Sequence, residues 1–140
     1  MRILGVDYGK KQIGIALSDE TYTIASSLCV IDVSRNDPIV YIKDLVDKYD
    51  AEKIVVGMPF NLNGTEGERV NITRHFIDKL QDAVDVDVVE WDERLSTKFS
   101  DMVLNEAKVK GRKKKKKVID KIAAAFILQG YLDYLTNEYS

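Results

Sequence analysis

Thiols and imidazoles are nearly missing from this chain: Cys29 is its single cysteine and His75 its single histidine. One cysteine excludes an internal disulfide framework, and the two residues together cannot build a Cys/His zinc site. His75 lies inside an expected helix and reads as a structural or surface residue. Long hydrophobic runs are lacking as well. Stretches such as KIAAAFIL fall far short of the ~20 apolar residues that cross a bilayer. The opening MRILGVDYG enters a strand-like run at once, with no long apolar segment ending at a small-residue cleavage site, and the expectation is a cytoplasmic protein. Net charge is also small, at -2, but the mean conceals a local extreme. Arg112 is followed by Lys113, Lys114, Lys115, Lys116 and Lys117, whereas the acids are spread along the chain.

What is there suits one soluble globular domain: 140 residues, 45% hydrophobic and 31% charged, enough for a single core. Ile3 to Tyr8 and Ile13 to Leu17 are short apolar runs around Gly9 and read as a hairpin, with Thr23 to Val33 as a third strand. Asn36-Asp37-Pro38 combines a helix cap with proline at the first helical position, and Ile39, Ile42, Leu45, Val46 and Tyr49 follow at helical spacing. Lys53 to Met58 is a strand apolar on both faces. Thr65-Glu66-Gly67-Glu68 has the form of a capping box for a helix reaching about Leu80. Val86 to Trp91 is another strand, Ser96 to about Lys108 a helix with Phe99, Val103 and Ala107 on one side, and Val118 to Leu135 a largely buried helix. The order β-β-β-α-β-α-β-α-α predicts an α/β layer fold with a five-stranded mixed sheet, three antiparallel strands leading into two parallel ones.

Four stretches could carry chemistry. In GVDYGKKQIGI, Asp7 ends an apolar strand on the face shared by Ile3 and Gly5; it either bonds the turn backbone or serves a metal or phosphate site. VGMPFNLNGTEG is a turn-rich loop between a buried strand and a helix, where open α/β sheets bind ligands, but it lacks the lysine and spacing of a nucleotide P-loop. EWDERLST clusters charge at a strand end; continued strand geometry would put Trp91 and Glu93 on one face, Asp92 and Arg94 on the other. In RKKKKKVIDKIAAAFILQGYLDYL, Asp120 precedes Ala124, Ile127 and Tyr131 on one helical face, and a first-turn acid there also fits the macrodipole. The lysines are either a solvated segment or phosphate contacts. Trp91 and the tyrosines could stack on bases or fill the core.

In combination these segments resemble the YqgF family, also called RuvX, of the ribonuclease-H-like superfamily. GVDYGKKQIGIALSD is similar to the family's opening hairpin, VVGMPFNLNGTEG to its central loop, DERLST to its later signature, and KKKKKVIDKIAAAFILQGYLD to its lysine-rich C-terminal helix. One departure is Gln12, where the family usually has a basic residue. The resemblance implies a single ribonuclease-H-like nuclease domain over 1–140, using Mg²⁺ or Mn²⁺, with two ions expected. It implies Asp7, Glu93 and Asp120 as catalytic, metal-holding acids, with Asp92 a further metal candidate. Lys10, Lys11, Asn61, Arg94, Arg112 and Lys113 to Lys117 are the candidate nucleic-acid contacts. The implied substrate is the precursor of 16S ribosomal RNA, or alternatively a four-way DNA junction. Ribosomal particles are a further implied partner, with no membrane, and the protein acts as a monomer or homodimer.

The inventory permits that chemistry. Phosphodiester hydrolysis needs an activated water, charge neutralisation and a stabilised leaving oxygen, and two ions about 3.5–4 Å apart supply all three. Two rivals stand beside it. A sugar-kinase or actin-like ATPase shares the acid-and-glycine hairpin but needs a second lobe. A non-catalytic RNA- or ribosome-binding module on the same fold would keep the acids without turnover.

Overall fold

The computed structural model describes residues 1–61, 63–93 and 112–139, of which 112–121, 138 and 139 are described by their backbone alone. The expected helix from Ser96 to Lys108, and with it Phe99, Val103 and Ala107, lies outside the described residues, as does Arg94.

The elements are β1 (Arg2–Asp7), β2 (Gln12–Ser18), β3 (Ala25–Asp32), α1 (Pro38–Tyr49), β4 (Ala51–Met58), α2 (Glu68–Ala83), β5 (Asp87–Asp92) and α3 (Arg112–Tyr139). The strands form one sheet in the order β3-β2-β1-β4-β5. β1, β2 and β3 pair antiparallel, and β4 and β5 join parallel to β1. This is the mixed sheet that the order of elements predicts. Gly9 makes the first turn tight: a Cβ there would lie 2.5 Å from the Gln12 carbonyl oxygen. That turn sets Asp7 opposite Gly14.

Alternation along the strands divides the core in two. Leu4, Val6, Ile13, Ile15, Ile54, Val56 and Met58 point to one face, where they pack with Ile42, Leu45 and Val46 of α1 and Val70, Phe76 and Leu80 of α2. Ile3, Ala16 and Val55 point to the other, under Ala124, Ile127, Leu128, Tyr131 and Leu132 of α3. The expected face of Ala124, Ile127 and Tyr131 is thus the buried one.

α1 starts as its sequence predicts: Asp37 accepts hydrogen bonds from the Ile39 and Val40 amides (3.0 and 3.4 Å), with Pro38 in the first turn. Two expectations are corrected. The Thr65 capping box does not form, because Thr65 donates its hydroxyl to Asn63 (2.7 Å) and accepts from Asn61 (2.9 Å); α2 opens after Gly67 instead. Short polar side chains often prefer such local turns to a helix cap. α3 also begins at Arg112 rather than near Val118, so the lysine run is helical and Asp120 lies beyond the first two turns, not at a first-turn position. Lysine has good helix propensity, which outweighs its look of a solvated linker.

α3 runs antiparallel to β1. A Cβ on Gly5 would fall 2.7 Å from Leu128 Cβ and 3.0 Å from the Ala124 carbonyl oxygen, so glycine lets the helix sit on the strand. Further along, Tyr131 Oη and Lys53 Nζ are 2.8 Å apart at the level of Ile3. The Ala25 amide donates to Gln129 Oε1 (2.9 Å), fixing the helix against β3. Traced backwards, α3 therefore heads from Ala124 toward the carboxyl end of β1, where Asp7 lies.

Candidate functional site

At the carboxyl ends of the parallel strands the α3 side of the sheet changes from apolar to acidic. Asp7 closes β1 on the face of Ile3 and Gly5, and Glu93 follows β5 on the face of Val89 and Trp91. Between them lies β4, whose Gly57 has no side chain to separate the two. A Cβ at Gly57 would stand 2.5 Å from Ile127 Cδ1 and 2.9 Å from Glu93 Cγ, so the Glu93 side chain lies directly over this glycine. The carboxyl groups of Asp7 and Glu93 meet in a hydrogen bond. Sequence spacing cannot bring residues 7 and 93 together; the β1-β4-β5 parallel register does.

Burial is the main cause that pushes the Glu93 carboxyl above the ordinary carboxylate range; the bond to Asp7 and the Arg69 guanidinium oppose it, and the charge of Asp92 adds to it. Two carboxyls in contact cannot both ionise cheaply unless a proton or a cation sits between them. Their oxygens are the donors that magnesium and manganese take, so the pair fits a hard divalent ion. Among the described residues no group of three acidic, imidazole or thiol ligands converges. The Asp120 side chain lies outside the described ones, but its backbone is one turn before Ala124, on the stretch of α3 leading to Asp7.

The remaining candidates are spread around this pair. Asp92 takes the opposite strand face, the side on which Glu90 meets Arg74 of α2. Lys10 and Lys11 are exposed in the β1–β2 turn, and Asn61 is exposed in the β4–α2 loop. The side chains of Arg112 and Lys113 to Lys117 lie outside the described ones. Trp91 is partly buried against the α3-side core, edge-on to Tyr131 at 5.6 Å and tilted against Tyr134 at 5.5 Å. His75 is exposed on α2.

Sequence reasoning missed Arg69. A cleft of about 350 Å³ opens beside Glu93, lined by Pro59, Phe60, Asn61, Gly67, Glu68 and Arg69. Asn61 shapes its wall: its backbone amide donates to the Thr65 carbonyl (3.0 Å), its carbonyl accepts from the Gly64 amide (2.8 Å), and its side chain lies against Gly67. The available signal was position, since Arg69 stands in the first turn of the helix after a ligand-type loop.

A family model described as RuvX, Holliday junction resolvase, matches residues 1–134. The chain belongs to the RuvX family. A relative from Halothermothrix orenii, named "Putative pre-16S rRNA nuclease", is 50% identical to this RuvX chain over 135 residues, 96% of each. Another of that name, from Agathobacter rectalis, is 42% identical across all of both chains. Among solved structures, Thermus thermophilus RuvC in complex with Holliday junction substrate aligns at TM-score 0.58 and 15% identity, covering 96% of each chain. The Fowlpox virus resolvase in complex with Holliday junction DNA aligns at TM-score 0.56 and 17% identity, over 96% of this chain and 99% of that one. At these identities the likeness is one of fold, and the fold of this RuvX protein is ribonuclease-H-like.

Proposed function

We propose that this RuvX chain is a single-domain, divalent-metal-dependent nuclease that hydrolyses phosphodiester bonds in 5′-end processing of precursor 16S ribosomal RNA. The observation that carries the reading is the meeting of Asp7 and Glu93 over Gly57 at the carboxyl end of the sheet. The names of relatives at 42% and 50% identity direct it to RNA.

Asp7 and Glu93 would hold Mg²⁺ or Mn²⁺, and Asp120 of α3 would be the third carboxylate. When bound, such ions lower the pKa of water and neutralise charge on the phosphate. The chain's own residues do the rest. Gly57, bare of a side chain, leaves the room beside Ile127 in which Glu93 lies to meet Asp7. The β1–β2 turn, with Lys10 and Lys11, and the lysine-rich start of α3 supply positive charge for a polyanion. No described helix is long and apolar enough to cross a membrane.

Single-turnover cleavage of labelled precursor RNA, with Mg²⁺, Mn²⁺ or EDTA, tests this. Cleavage is expected with either ion, not with EDTA, and is expected to be lost in Asp7→Asn and Glu93→Gln. Unchanged cleavage by Asp7→Asn would refute the site; binding without cleavage in every metal would make the protein a binding module. The family model's description favours a second reading, resolution of four-way DNA junctions, so a labelled junction runs in parallel. A preference for the junction would replace RNA as the substrate and leave the metal site standing.

A further inference from the structure

The two arginines in the first half of α2 stand in different company. Arg74 is engaged by two carboxylates: it reaches Glu66 at 2.8 Å in the β4–α2 loop and Glu90 at 3.3 Å on β5. Arg69 forms no ion pair among the described residues. It lines the cleft beside the acids, and its charge is felt by Glu93 without a salt bridge between them. It is exposed, as is Asn61 across the same cleft. A cleft bounded by carboxylates on one side repels a polyanion, and a guanidinium on the other reverses that repulsion. Arginine's planar fork also matches two oxygens of one phosphate, which a point charge cannot do.

We propose that Arg69 is a substrate-positioning residue that grips the phosphate flanking the scissile one, with Asn61 forming the opposite wall of the same cleft. The inference rests on the nuclease reading given above. Arg69 then serves the site twice: it offsets the charge of Glu93 before substrate arrives and fixes the backbone path once it has. The loop is ready for this, because Asn61 is held by Thr65 and Gly64 and Arg74 pins Glu66, so the cleft wall is built before binding.

The test separates binding from turnover. Anisotropy titrations of a labelled single-stranded RNA in EDTA, across a series of salt concentrations, compare the full-length protein with Arg69→Gln and Arg69→Lys. Arg69→Gln should weaken binding about tenfold and lower the slope of log affinity against log salt by roughly 0.7. Arg69→Lys should keep the slope and recover part of the affinity. A methylphosphonate walked along the RNA should weaken the wild type at the phosphate flanking the cleavage point and leave Arg69→Gln indifferent there. In cleavage, KM should rise more than kcat falls. An Arg69 that only balances Glu93 would leave the slope and the methylphosphonate pattern unchanged, and either result overturns the proposal. Failure of the wild type to bind or cleave any nucleic acid would instead overturn the nuclease reading itself.

Discussion

The two faces of this sheet are built on opposite principles. Beneath α1 and α2 the strands present large aliphatic side chains, including Leu4, Ile13, Ile15, Ile54 and Met58, all fully buried. Beneath α3 they present Gly5, Ala16 and Gly57 in the same rows. The first face is filled throughout; the second interrupts Ile3 and Val55 with small residues. Thinning the sheet on one side lets α3 come down to backbone contact at Gly5, and lets Glu93 fold across β4 toward Asp7. One surface is thus all core, while the other combines a smaller core with the proposed site, and substitutions should sort accordingly.

The largest effect is expected at Gly57→Val. A branched side chain has no room beside Ile127 Cδ1 and Glu93 Cγ, at 2.5 and 2.9 Å from the first added carbon. Glu93 must move, and a displacement of about 1 Å can cost about 100-fold in rate; single-turnover cleavage by protein shown to be folded by circular dichroism measures it. On the aliphatic face Ile54→Ala should lower stability by about 2–5 kcal/mol in urea titrations, with cleavage per folded molecule unchanged. Equal loss of activity in the two variants would erase the distinction between the faces. Gly5→Ala sharpens it: the new carbon meets Leu128 Cβ at 2.7 Å and a backbone oxygen at 3.0 Å, so α3 must lift, at about 1–3 kcal/mol and with a fall in metal affinity by calorimetry. The smallest effect belongs to Arg74→Ala. Its pairs with Glu66 and Glu90 are exposed and should contribute no more than about 1 kcal/mol. Thermal melting should barely shift, while KM rises as the cleft wall loosens.

Much of this arrangement was legible in the sequence, for a physical reason. Alternation puts Asp7 on the face of Ile3 and Gly5, and Trp91 with Glu93, whatever the packing, because successive strand residues point to opposite sides. The proline after Asp37 and the apolar spacing of Ile42, Leu45 and Val46 fixed α1 equally well. The illegible parts depend on competition between neighbours. Thr65 had two hydrogen-bonding outlets, the helix start and Asn63, and spacing alone does not choose between them. The lysine run looks like solvated chain by charge and like helix by propensity, and propensity prevailed. Arg69 carries no local mark that separates it from Arg74; only the positions of β5 and the loop give them different tasks. Trp91 had the composition of a stacking platform, yet it is partly buried against Tyr131 and Tyr134, which spacing alone does not foretell.

The sheet is complete once Asp92 is in place, yet one of its surfaces waits for a helix that the ribosome makes some twenty residues later. Until then Ile3, Ala16 and Val55 lack the cover that this helix gives them, and Gly57 lacks Ile127 beside it. On the reading proposed above, the acid site is therefore complete only after this last helix has docked.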